Sequence, residues 1–109
     1  MRALSGGNAL VRFIKYLKNE YYLKKSVKEL RRVLDTFNHA TRNLGAVGEV
    51  RRNLCEDNFK SIVLCLNDLR DMNALSMLRE LTEPEKLKVQ RLNNTFWELL
   101  ADIRRNMYL

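Results

Sequence analysis

A chain of 109 residues with 46% hydrophobic and 30% charged content, one proline and a net charge of +7 reads as one globular domain, neither a disordered tail nor two domains. No apolar run approaches the roughly 20 residues of a membrane-spanning helix. Arg12 and Lys15 also interrupt any secretory apolar core near the start, so an intracellular protein, cytoplasmic or nuclear, is expected.

Apolar residues recur at spacings of three and four with no sustained alternation, which makes the fold all-α. After a flexible leader over residues 1–7, the domain spans residues 8–109. Its first segment carries Leu10, Ile14, Leu17 and Tyr21 on one stripe with Phe13 beside it, most economically used in the core. Past Tyr21 the stripe shifts phase to Leu23, Val27, Leu30, Val33, Leu34 and Phe37. Ser26 and Glu29 form a candidate capping box, so either a new helix starts at Ser26 or one long helix bends there.

Gly45 and Gly48 supply a helix stop near Asn43. A third stretch begins near Glu49, with Val50 and Leu54 inward. A break at residues 56–58 then leads to Phe59, Ile62, Val63, Leu66 and Leu69, and Asn73 is placed to cap a short helix carrying Leu75, Met77, Leu78 and Leu81. The strongest signal is last: Thr82-Glu83-Pro84-Glu85 combines a capping box with proline in the first helical turn. Val89, Leu92, Phe96, Leu99 and Ile103 follow, in a helix running to about Met107. The expected architecture is a compact bundle of four to five helices with long N- and C-terminal helices; three long helices with shorter connecting helices describe the pattern equally well.

Residues 1–60 carry 13 Lys and Arg against 6 Asp and Glu, whereas residues 61–109 carry 7 against 7. The basic excess therefore belongs to the first half. Lys24, Lys25, Lys28, Arg31 and Arg32, joined by Arg51 and Arg52, form the expected basic surface. It serves either as a solvated face or as a contact for an acidic protein, a nucleic acid or an anionic membrane. Tyr16, Tyr21 and Tyr22 lie among these cations, and two neighbours on a helix cannot both point inward.

Residues 41–54, TRNLGAVGEVRRNL, resemble the hairpin of helix-hairpin-helix DNA-binding modules. Leu44, Val47 and Gly48 match that pattern, although Ala46 stands where the family has its first glycine. The resemblance implies a backbone phosphate held near Arg51 and Arg52. A plain helix-to-helix turn needs only Gly45 with a positive φ and Gly48 at a tight entry.

Little else points to chemistry. His39 has no partner at metal-ligand spacing. Cys55 and Cys65 lie about 15 Å apart if their helix is continuous, too far for a disulfide. No phosphate-cradling loop is present, and neither a cofactor nor an enzymatic activity is expected. The leading expectation is a non-enzymatic adaptor or assembly domain whose protein partner, acidic or helical, docks on an apolar groove. Residues 64–81 hold more Leu and Met than one stripe requires, which singles out Met72, Met77, Leu78 and Leu81 as groove residues. The alternative is a nucleic-acid module contacting phosphates with weak sequence specificity. A monomer and a homodimer both fit.

Overall fold

Helix α1 (Arg2–Thr41), a 3-10 turn (Arg42–Leu44), α2 (Ala46–Leu78) and α3 (Glu83–Asn106) follow one another in a computed structural model. The structure describes residues 2–106, with side chains from residue 9 onward, and among these residues there is no strand. All-α is therefore the fold class. The expected four to five helices are corrected to three.

The correction comes from three places read as helix breaks or starts. Ser26 sits in mid-helix with its Oγ donating to the carbonyl of Tyr22 at 3.0 Å, the i−4 alternative to capping. Residues 56–58 interrupt nothing in α2. Asn73 instead reaches across to α1, donating to Tyr16 O at 3.2 Å and Glu20 Oε1 at 2.9 Å. Packing of α1 and α2 on each other through Leu23, Leu30, Val33 and Phe37 and through Ile62, Cys65, Leu69 and Met72 keeps both continuous at Ser26 and through residues 56–73, where local capping chemistry permits a break.

α1 and α2 run antiparallel. Arg52 donates to Thr41 at the closed end of the pair, and Asn73 meets Tyr16 toward the other end. α3 returns along α2, so that Arg104 reaches Glu29. α1 and α3 touch far less than either touches α2. The molecule measures 65 × 22 × 16 Å with a radius of gyration of 17.9 Å, against about 13 Å for a compact chain of this size. At about 1.5 Å per residue, the 40 residues of α1 account for nearly all of that length.

The core lies toward the closed end. Leu30, Val33 and Phe37 from α1 meet Cys55, Ile62 and Cys65 from α2 and Phe96, Leu100 and Ile103 from α3. Spacings of three, four and seven put each set on one helix face. Val50 and Leu54, expected inward, point to solvent; Cys55 takes the inward place, because it shares a face with Ile62 and Cys65.

The first half of α1 departs most from expectation. Leu10, Phe13, Ile14, Leu17 and Tyr21 are each between 46% and 60% exposed. At about 100° per residue they fall on the side of α1 opposite Leu23, Leu30 and Phe37. The face turned toward α2 there is polar, carrying the partly buried Arg12, Tyr16 and Glu20. α1 therefore reverses its amphipathic sense near Tyr21, where the sequence shifts phase. The helix does not bend to follow the stripe, so the stripe is left outside the core.

At the α1–α2 corner, helix α2 begins at Ala46, placing Gly48 in its first turn rather than ahead of it, unlike the helix-hairpin-helix pattern. Gly45 is the positive-φ residue of the turn, at 58°. A Cβ on Gly48 would run into the backbone carbonyl of Thr41, so the glycine permits the crossing of the two helices.

At the other corner, the capping box of α3 forms as expected. Thr82 N donates to Glu85 Oε1 at 2.8 Å, and Glu85 N to Thr82 Oγ1 at 3.3 Å. Arg79 grips the same carboxylate at 2.8 and 2.9 Å. The Arg79 guanidinium, helped by the Thr82 amide, lowers the Glu85 carboxyl from 4.5 to about 2. Because the folded state favours the charged form, the stabilisation is complete above about pH 4.5 and is lost as pH falls toward 2. Urea midpoints of wild type and Glu85→Gln should differ by a constant amount at neutral pH and converge near pH 2. A difference that persists at pH 2 would contradict the role given to this carboxylate.

Candidate functional site

Where α1 and α3 separate, α2 forms the floor of an open groove. It encloses a cavity of about 530 Å³ lined by Leu23 from α1, Leu69 and Met72 from α2, and Val89 and Trp97 from α3, with Leu81 from the connecting segment. All but Leu81 are placed there by their helices. Leu69 and Met72 are three apart on the inner face of α2, and Val89 and Trp97 lie two spacings of four apart, beside the core stripe of α3. Leu23, Leu69 and Met72 are buried, whereas Trp97 is 48% exposed at the rim and packs edge-to-face on Phe96 with centroids 5.0 Å apart. These apolar side chains are interleaved with polar ones along the same helices, an arrangement that can bury an apolar group and orient it by polar contacts.

Polar residues line the groove as well, Asn19, Tyr22, Ser26, Ser76 and Asn93 among them; Ser26 and Ser76 donate to backbone carbonyls of their own helices. Asn73 is 5% exposed; its amide nitrogen is spent on α1, and its Oδ1 has no hydrogen-bond partner among the described residues. Glu29 is bound by Arg32 at 2.5 and 3.0 Å and by Arg104; these guanidiniums, Arg32 foremost, hold its carboxyl below the usual range. Lys25 also lines the groove, with its ammonium 5.5 Å from the Tyr21 ring. Glu29 is paired with two guanidiniums and Lys25 forms no ion pair among the described residues, which leaves the rim positive.

No protein-family model, curated protein or solved structure matches the chain.

Of the four expected groove residues, Met72 and Leu81 line the cavity. Met77 and Leu78, 41% and 74% exposed, lie outside it at the end of α2. Leu23, Leu69, Val89 and Trp97 were missed. The spacing of four from Val89, at the edge of the core stripe, through Asn93 to Trp97 is the only trace in the sequence of a second face on α3.

The basic residues divide. Lys24, Lys28 and Arg31 gather with Arg70 of α2 around Val27 in a shallow depression. Arg32 is paired with Glu29. Arg52, half-buried, donates to Thr41 Oγ1 at 3.0 Å and Thr41 O at 3.3 Å, which fastens the end of α1. Arg51 is also half-buried, next to it in sequence.

The remaining chemical candidates are dispersed. His39 is exposed, and both cysteines are buried and free. Burial pushes both thiols up, so neither is a ready thiolate. Among the described residues no group of three His, Cys, Asp or Glu could hold a metal ion.

Proposed function

We propose that the chain is a non-enzymatic interaction domain whose groove between α1 and α3 receives an apolar anchor from a helical protein partner bearing acidic residues. The observation that carries this reading is the cavity itself. At about 530 Å³ it falls within the roughly 300–1,000 Å³ typical of binding sites, and it opens where a closed three-helix bundle would place core side chains. Helix-in-groove docking uses such a surface: large anchors enter between two helices while charged residues at the edge set orientation. Lys25 at the rim favours carboxylates on the partner. Met72 supports the reading because its flexible side chain adapts to different anchors.

Filling the groove tests the proposal. Val89 is half-buried on its wall, and Val89→Trp should occupy the cavity while leaving the helices folded. In quantitative affinity purification the wild-type chain should retain a discrete partner that the variant loses by at least about ten-fold, the cost of losing one buried anchor. Equal recovery with a folded Val89→Trp chain would refute the groove as the docking site.

A further inference from the structure

The outer face of α1 is a second surface, separate from the groove and independent of the reading given to it. We propose that this face lies on anionic membranes, with Leu10, Phe13, Ile14, Leu17 and Tyr21 sunk into the headgroup boundary and Lys24, Lys28, Arg31 and Arg70 against the lipid phosphates.

Three observations carry this. The first is the reversal of α1. Five large apolar side chains share the side of the helix facing away from α2, each about half exposed, and the same side turns basic from Lys24 onward. The second is charge. Residues 9–28 hold six Lys and Arg but one carboxylate, Glu20, which accepts a hydrogen bond from Asn73 on the inward side. Lys24, Lys28, Arg31 and Arg70 form no ion pair among the described residues. The third is shape. The stripe is an exposed ridge on a single helix, on the side turned away from α2. A partner helix seeks a groove, whereas a ridge can sink about 5–10 Å into a bilayer interface.

The arrangement supplies the two signals that stable peripheral binding requires, one apolar and one polybasic. Tyr21 is also of the aromatic type that settles at membrane–water boundaries, and Phe13 of the type found on the buried face of interfacial helices. No helix among the described residues is long and apolar enough to cross the bilayer, so the contact lies along the surface. From Leu10 to Arg31 the face runs about 32 Å.

Vesicle partitioning of the whole chain is the test, using phosphatidylcholine vesicles with and without phosphatidylserine at low and physiological salt. Binding should require the anionic lipid and weaken as salt rises. The triple variant Lys24→Ala, Lys28→Ala, Arg31→Ala should bind on the order of 100-fold more weakly, at about five-fold per cation. Leu17→Asp should lose at least about ten-fold. Leu64→Asp, at an exposed apolar position on α2, should match wild type. In a Trp97→Phe background, the emission of Phe13→Trp should shift to the blue when anionic vesicles are added.

Equal binding to neutral vesicles, or no partition at low salt, would overturn the proposal. Blue emission before any lipid is added, together with a dimer in sedimentation, would give the stripe to a second copy of the chain. Oligonucleotide binding that takes the place of vesicle binding would assign the cations to nucleic acid.

Discussion

Phe37→Ala should destabilise the fold by about 3–5 kcal/mol. Phe37 has no solvent exposure and stands edge-to-face with Phe59 at 6.2 Å between ring centroids. It sits where all three helices contribute to one cluster, and the surrounding side chains are held by continuous helices that cannot collapse far into the space left behind. Total stability for a domain of this size is about 5–15 kcal/mol, so the loss is a large part of the whole. A thermal melt followed by circular dichroism should fall by more than about 12 °C. Leu78→Ala, at a site 74% exposed, should change stability by no more than about 0.5 kcal/mol. Similar melts for the two variants would mean that the core is not where these helices place it.

Gly48→Ala is the second large effect, and its sign is the informative part. Within a helix, glycine to alanine ordinarily stabilises by about 0.5–1 kcal/mol. Here the added methyl would meet the Thr41 carbonyl, with the Leu44 Cβ 3.2 Å away. Backbone cannot yield as a flexible side chain can. The corner would have to open, weakening the hydrogen bonds from Arg52 to Thr41 that close it. A loss of about 3 kcal/mol is expected from overpacking of this kind, measured by urea denaturation. A stabilised Gly48→Ala protein would contradict the close crossing of α1 and α2.

Much of this fold was legible in the sequence, and the failures have a common cause. Thr82, Pro84 and Glu85 announced the start of α3 because a capping box acts within one turn, and the structure forms it with both reciprocal hydrogen bonds. Leu30, Val33 and Phe37 announced the core face of α1 by spacing alone. Ser26 and Asn73 misled because their chemistry is ambiguous: the same hydroxyl or amide can cap a helix or bond elsewhere, and the choice is made by neighbours distant in sequence. For Asn73 those neighbours are Tyr16 and Glu20.

The reversal of α1 was visible as a phase shift, but its direction was not. Spacing shows that two stripes differ in angle without showing which one meets the rest of the molecule. Met77 and Leu78 were singled out by composition, which cannot separate the inner face of α2 from its exposed end. The groove needed the separation of α1 from α3, a tertiary fact, although Val89 and Trp97 carried its imprint.

The docking role of the groove is tested most directly by placing a photo-crosslinking side chain at position 97 or 81, and at position 60 as a control. Trp97 and Leu81 line the cavity, whereas Lys60 is exposed on α2 outside it. The expected result is one and the same protein adduct from positions 97 and 81, none from 60, and loss of both adducts when Val89→Trp fills the groove. Adducts that form equally from position 60, or that survive in the filled variant, would contradict it.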